Sequence, residues 1–179
     1  MVQVSEASPD FVNQLTDVRH FIEIDLADFV AGTVIVRMQK RREKDDRLAD
    51  KIEREGIESF VSMWENIPLF ETQKRLAEKV QEAVRKERLA NNPKGLANSL
   101  RGMGTGAQPS WWNELHNLKM PVLLMNGEHD EKFFRILKNI EKCVSDAKFV
   151  KIDGAGHAIH VEQPEKFDTI VKGFLKTMQ

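Results

Sequence analysis

The segment 119–179 alternates short strand-like runs with amphipathic helical runs, and this order is the feature that most constrains the fold. The run MPVLLMNGEHD is continuously apolar before a glycine and acids, which is typical of a strand buried on both faces of a parallel sheet. The pattern then predicts a helix from Glu131 to Cys143, a second strand over AKFVKID, and a final helix from Pro164 to Met178. Strands that alternate with helices form a parallel sheet, so we predict an α/β protein.

The composition of the chain argues against nucleic acids and membranes as partners. The 179 residues have a formal net charge of -1 and are 41% hydrophobic, so the chain can bury a core and lacks the basic excess of nucleic-acid-binding proteins. It has one cysteine, Cys143, which we expect to be buried on a helix, and no apolar run long enough for a signal peptide or membrane span. We therefore expect a cytoplasmic protein that contacts neither nucleic acid nor membrane.

No motif in the sequence predicts a metal or a cofactor. The histidines and acids lack a recognised zinc spacing. The glycine-rich stretch GMGTGAQP has no P-loop lysine and no strand before it, so we interpret it as a flexible connection.

Residues 38–118 are predicted to form a helical cap. A charged helix over Lys40–Arg54 should end at Gly56, because glycine disfavours helix interiors. Apolar residues then recur at helical spacing from Ile57 to Trp64. Thr72 is predicted to cap a further helix, and Pro93 to begin the last one.

The segment 1–37 differs in pattern from the rest of the chain. Two alternating or β-branched runs, Phe21–Leu26 and Thr33–Val36, predict short strands there.

An acid and a histidine follow the two predicted strands of segment 119–179. Asp130 lies in GEHD after the first strand, and His157 lies in GAGH after the second. Because the carboxyl ends of parallel strands meet at one edge of a sheet, we expect the two side chains to lie within hydrogen-bonding distance. A carboxylate that holds Nδ1–H of an imidazole leaves Nε2 to take a proton from a nucleophile. The alternative is a turn histidine that makes only a local backbone bond.

Longer stretches resemble a known family. MPVLLMNGEHDEKF followed by GAGHAIHVEQPEKFDTIVKGFL resembles the carboxyl-terminal end of α/β-hydrolase-fold proteins. More narrowly, GIESFVSMWENIPLF and RKERLANNPKGLANSLRGMGTGAQPSWW are similar to the cap of the menaquinone-pathway enzymes that make 2-succinyl-6-hydroxy-2,4-cyclohexadiene-1-carboxylate, the MenH family. The resemblance implies a partial hydrolase-type parallel sheet at 119–179 with a helical cap. It also implies a lyase that eliminates pyruvate from a small carboxylated substrate.

The resemblance also assigns roles to particular residues. Asp130 matches the family's triad acid, and His157 matches its triad histidine. Trp64 matches a cap tryptophan that lines the substrate pocket, although core packing explains its helical spacing equally well. Arg42, beside Arg41, lies near a cap arginine that can pair with a substrate carboxylate.

The nucleophile of that family has no counterpart in this sequence. The family's serine lies in a G-x-S-x-G turn between a strand and a helix, and none of the serines here has that context: Ser5, Ser8, Ser59, Ser62, Ser99, Ser110 and Ser145. We therefore expect a truncated family member with impaired catalysis, whose open sheet edge allows self-association. Two alternatives to the lyase stay open: a general ester hydrolase, and a non-catalytic remnant that binds a small molecule or dimerises.

Overall fold

The computed structural model describes residues 31–178, with side chains from residue 38. Within this part of the chain, one compact unit contains the residues up to Trp64 and Ala83–Gln108. A second unit contains Glu65–Glu82 and the residues from Pro109 onward. The stretch 65–82, which the sequence pattern places in the cap, is thus grouped with the sheet.

The first unit is helical. Its longest element is α1 (Ala31–Trp64), which is interrupted at Gly56, where φ is 82° and ψ is 173°. Residues with a Cβ atom rarely adopt this backbone conformation. Glycine at position 56 therefore allows the helix to change direction. The predicted break at Gly56 is confirmed. Two further helices follow, α2 (Glu78–Leu89) and α3 (Pro93–Met103), and the boundary between the units falls within α2.

Packing of α1 against α3 forms the core of the first unit. The predicted start of α3 at Pro93 is confirmed, and the Asn92 side chain caps this helix by accepting a hydrogen bond from the Gly95 N–H at 2.9 Å. Buried apolar residues recur at helical spacing along both helices and form this core. They are Ala49, Ile52, Phe60, Val61, Ala97 and Leu100.

The glycine-rich stretch after α3 packs closely against α1, which differs from the flexible connection that we predicted. A Cβ atom at Gly106 would lie 2.8 Å from the Arg42 Cα, and one at Gly104 would lie 2.5 Å from Oδ2 of Asp45. Asp45 is only 5% exposed and accepts a backbone hydrogen bond from Gly106. Small residues are therefore needed here for close contact between the loop and the helix.

Two boundary predictions were wrong, and a third lies outside the described residues. Residues 33–36 belong to α1 rather than to a strand, because the low helix propensity of a short β-branched run is outweighed when it continues a long helix. Thr72 lies within a 3₁₀ helix, Pro68–Arg75, and the next α-helix begins only at Glu78 because Leu76 is extended. The predicted strand Phe21–Leu26 lies outside the described part of the chain.

The second unit contains a parallel pair of strands, as predicted. Strand β1 (Val122–Gly127) pairs with β2 (Ala147–Ile152) in parallel, from Val122 opposite Ala147 to Gly127 opposite Ile152. A helix follows each strand, and the chain order is β1, α4 (Glu131–Cys143), β2, α5 (Ile159–Glu162) and α6 (Pro164–Lys176). Two 3₁₀ helices, Pro68–Arg75 and Trp112–Asn117, complete the unit. The α/β class and the partial parallel sheet are confirmed.

The carboxyl ends of both strands carry the loops that hold the predicted acid and histidine. The core behind these loops consists of Ile152, Ala155 and Ile159, with Phe167 and Ile170 of α6 packed against it. Cys143, at the end of α4, is exposed rather than buried. Among the described residues, no helix has the length and hydropathy needed to cross a membrane.

Candidate active site

The loop after β1 is a tight turn that leads directly into α4. Asn126 is 2% exposed, and its side-chain amide donates to the carbonyls of Gly127, at 2.6 Å, and Asp130, at 3.1 Å. The Asp130 N–H donates in turn to the Gly127 carbonyl at 3.1 Å. These bonds close the turn, so the position of the Asp130 backbone is set by the end of the strand.

Asp130 is the first residue of the site and the N-cap of α4. Its Oδ1 accepts the Phe133 N–H at 3.0 Å, which satisfies one of the unpaired donors at the start of the helix. The residue is 7% exposed. With Oδ1 used by the cap, Oδ2 is directed toward the loop that follows β2.

His157 lies in that loop and pairs with Asp130 as predicted. Its Nδ1 lies 2.6 Å from Oδ2 of Asp130, and the two side chains are 11% and 6% exposed. The Phe133 ring lies against the imidazole with centroids 4.6 Å apart, and Phe70 approaches edge-on at 6.5 Å. A short bond to a buried carboxylate selects the tautomer with a proton on Nδ1, so Nε2 is the nitrogen that would exchange a proton with a reactant.

Close backbone contacts hold the two loops together. A Cβ at Gly127 would overlap the Gly156 carbonyl oxygen and would lie 2.6 Å from the Ala155 oxygen. The His129 N–H donates to that Ala155 oxygen at 2.9 Å. Because a larger residue at Gly127 would push the loops apart, glycine at this position permits the contact between the acid and the histidine.

The loop that carries His157 also contacts the first 3₁₀ helix. A Cβ at Gly156 would overlap Oγ1 of Thr72 and would lie 3.0 Å from its Cβ and Cγ2. The Oγ1 atom of Thr72 is buried. Thr72 therefore acts as a packing surface for the histidine loop rather than as the helix cap that the sequence suggested.

Trp64 and Arg42, the two predicted substrate-binding residues, both belong to the helical unit. Trp64 stacks on Phe60 with ring centroids 5.3 Å apart and packs against the core of that unit. Arg42 is exposed, whereas its neighbour Arg41 is half-buried. Burial lowers the pKa of the Arg41 guanidinium, and the nearby negative charge of Asp45 partly offsets that effect.

Two other histidines, His129 and His160, lie close to the site residues in the sequence. His129 is exposed, and His160 is half-buried with its ring 6.0 Å from that of Phe167. Within the described residues, no group of three or more histidines, cysteines or acids is arranged to bind a metal ion.

Sequence reasoning missed several residues that shape the site. Glu162, which is 8% exposed, accepts hydrogen bonds from the N–H groups of Gly156 and Ala158, on either side of His157. Asn126 and Phe133 were also missed. The capping role of Asp130 could have been found from its place immediately before the predicted helix. No local signal indicates Glu162, because its partners become neighbours only when the loop folds.

Neither turn at the ends of the two strands carries a serine. The turn after β1 carries Asp130, and the turn after β2 carries His157. The described part of the chain thus contains an acid–histidine pair at the edge of the sheet, without a serine in either of these turns.

Two curated relatives of this chain carry the same enzyme name. No protein-family model matches the chain. A Bacillus subtilis protein assigned as a 2-succinyl-6-hydroxy-2,4-cyclohexadiene-1-carboxylate synthase is 49% identical over 142 residues, which cover 78% of this chain and 52% of that protein. The synthase of that name from Photorhabdus laumondii is 31% identical and is covered to 46%.

Solved structures show the same relationship. The structure of MenH from S. aureus superposes with a TM-score of 0.78 at 40% identity, covering 80% of this chain and 54% of that one. A thermophilic esterase from Thermogutta terrifontis gives a TM-score of 0.67 at 26% identity, with 77% and 50% coverage. The chain spans about half the length of these relatives.

Proposed function

We propose that this chain, which is homologous to the 2-succinyl-6-hydroxy-2,4-cyclohexadiene-1-carboxylate synthases (MenH) and has part of the α/β-hydrolase fold, supplies the acid and the histidine of a MenH-type lyase site. The observation that carries the proposal is the 2.6 Å contact between Asp130 Oδ2 and His157 Nδ1. Both groups follow parallel strands, in the chain order of acid before histidine that α/β-hydrolases use.

The geometry suits proton transfer. In the proposed reaction, the base removes a proton from a C–H bond of the substrate, the electrons of that bond form a ring double bond, and the C–O bond to the leaving group breaks. The leaving group departs as the enolate of pyruvate and takes up the proton from the base, which gives pyruvate and restores the base. In a complete triad a serine hydroxyl lies between the substrate and Nε2 of His157. Asp130 then stabilises the imidazolium that forms when His157 takes the proton.

Substrate recognition is assigned to the helical unit within the same proposal. A small substrate with carboxylates needs cationic donors, and Arg42 is the residue proposed to pair with one of them. Trp64 is proposed to add an aromatic wall, in addition to its packing on Phe60.

The sequence contains no G-x-S-x-G motif, so we expect slow turnover by this chain alone. A serine-directed phosphonate should leave it unlabelled. Stoichiometric labelling of one serine would show that the chain has a nucleophile outside the expected motif.

Pyruvate release from the pathway substrate tests the proposed activity. With no serine between them, Nε2 of His157 would take the proton from the substrate directly. The wild-type chain should then release pyruvate about 10²-fold faster than His157→Ala, because a positioned general base contributes roughly that much. The exposed His129 provides the matched control, and His129→Ala should keep the wild-type rate. Equal rates for the wild type and His157→Ala would overturn catalysis by this chain and favour the non-catalytic alternative.

Ester hydrolysis is a second candidate, favoured by the similarity to the Thermogutta terrifontis esterase. If it is correct, p-nitrophenyl acetate should be cleaved with the same dependence on His157, while pyruvate release stays at background.

Self-association is a further part of the proposal. Within the described residues β1 and β2 pair only with each other, so each offers backbone groups on its outer edge. Sedimentation velocity should detect a dimer or larger species at micromolar concentration, and a monomer over that range would contradict it.

A further inference from the structure

The buried carboxylate of Glu162 accepts hydrogen bonds from the residues on both sides of His157. Glu162 is the last residue of the one-turn helix α5, and it is 8% exposed. Its Oε2 accepts the Gly156 N–H at 2.7 Å, and its Oε1 accepts the Ala158 N–H at 3.3 Å. The N–H groups of the two residues that flank His157 are therefore bonded to the two oxygens of one side chain.

This arrangement requires a carboxylate. Burying a charged group costs free energy unless hydrogen bonds compensate, and two N–H donors provide that compensation here. A glutamine has one acceptor oxygen and one amino group, so it would present a donor to one of the two N–H groups. A shorter or apolar residue would leave both donors unpaired inside the loop.

The contacts of Asp130, Phe133 and Phe70 act on the imidazole ring itself. Asp130 holds a ring nitrogen, and the two aromatic rings lie against the imidazole. The backbone from which the ring projects needs its own support, because a loop that shifts by 1 Å would break a 2.6 Å bond.

We propose that Glu162 is a positioning residue that fixes the backbone on both sides of His157 and thereby holds the imidazole against Asp130. Its consequence for catalysis rests on the proposed function, whereas its effect on the orientation of His157 can be measured without any substrate.

A carboxylate in the turn after β1 accepts an N–H group from the same loop after β2 and provides a matched control. Glu128 also accepts a backbone N–H, from Gly154 at 2.9 Å, but its side chain is 40% exposed and its bond lies two residues before Gly156. Removing the charge of Glu128 changes one carboxylate–amide bond to the loop after β2 and leaves the N–H groups of Gly156 and Ala158 bonded to Glu162.

NMR of the full 179-residue chain tests the proposal. In Glu162→Gln, the Nδ1–H resonance of His157 should shift or disappear, and amide exchange at Gly156 or Ala158 should be about 10-fold faster. In Glu128→Gln, the His157 resonance should stay as in the wild type. A Glu162→Gln chain that is less stable but keeps the wild-type His157 resonance would overturn the proposal, because that result is expected of a purely structural residue.

A measurement on the wild-type chain covers the case in which Glu162→Gln does not fold. The Gly156 amide, bonded to a buried carboxylate, should exchange about 10-fold more slowly than the Gly154 amide, bonded to an exposed one. Equal or faster exchange at Gly156 would contradict the proposal. Loss of pyruvate release alone bears on the proposed function, since the NMR results do not depend on it.

Discussion

The carboxylate of Asp130 lies 2.6 Å from Nδ1 of His157, and the other oxygen of the same carboxylate caps helix α4 through the Phe133 N–H. One side chain thus links the start of a helix to the imidazole. Rotation of the Asp130 carboxylate away from His157 would also break its hydrogen bond to the Phe133 N–H.

This double role predicts different effects for two substitutions of Asp130. Asn retains an oxygen that can accept the Phe133 N–H, whereas Ala removes the cap. Asp130→Ala should therefore be less stable than Asp130→Asn by about 1 kcal/mol, the usual loss for a removed N-cap. Urea unfolding measures the difference, and equal stabilities would show that the cap contributes nothing.

The contact between Gly156 and Thr72 predicts a rescue experiment. Gly156→Ala should destabilise the chain by about 1–3 kcal/mol through steric overlap with the Thr72 side chain. Thr72→Gly should recover most of that loss in the double variant, because it removes every side-chain atom in the way. In Gly127→Ala the overlap is with backbone atoms of Ala155 and Gly156, and Thr72→Gly should give no rescue. Additive effects of Gly156→Ala and Thr72→Gly would contradict the steric account.

Two glycines in open surroundings should respond to alanine in opposite directions. A Cβ at Gly56 or at Gly102 would meet no atom within 4 Å, but Gly56 has φ of +82° whereas Gly102 lies within α3. Gly56→Ala should cost about 1–3 kcal/mol through backbone strain. Gly102→Ala should stabilise by about 0.5–1 kcal/mol, because alanine favours helix. Changes of the same sign, measured by thermal unfolding, would refute the conformational explanation.

The buried Asp45 predicts a pH dependence of stability. Burial raises the pKa of the Asp45 carboxyl above its usual value, while Arg41 and the Gly106 N–H oppose this. The folded state then holds its proton more tightly than the unfolded state, so the contribution of Asp45 to stability falls as pH rises from the unfolded pKa through the folded pKa.

Asp45→Asn removes the ionisable group and should therefore remove its contribution to the change of the free energy of unfolding with pH. The free energy of unfolding of Asp45→Asn, minus that of the wild type, should become more positive as pH rises from about 3.9 through the elevated pKa. Glu43→Gln, at an exposed position of the same helix, provides the control. A difference that falls with rising pH would mean that the ionised Asp45 stabilises the fold.

The sequence predicts the parallel strand pair and the contact between Asp130 and His157, for physical reasons. Each element in 119–179 carries its own periodicity, and the turn residues Gly127 and Gly154 mark where the strands end. Asp130 and His157 follow those ends directly, so parallel pairing alone brings them together.

The remaining features depend on contacts between distant parts of the chain. Residues 33–36 continue a helix despite their β-branched side chains, and Asp45 is buried although it lies in the charged run RREKDDR. Glu162 contacts Gly156 through a turn that no short-range pattern specifies. Local propensity is too weak to predict such cases, because burial and tertiary hydrogen bonds outweigh it.

The tautomer of His157 is the most direct test of the acid–histidine pair. At a pH where the ring is neutral, ¹⁵N-resolved NMR should place its proton on Nδ1, with a low-field Nδ1–H resonance that disappears in Asp130→Ala. A ring proton on Nε2, or an unchanged resonance in Asp130→Ala, would show that Asp130 does not hold His157 in solution.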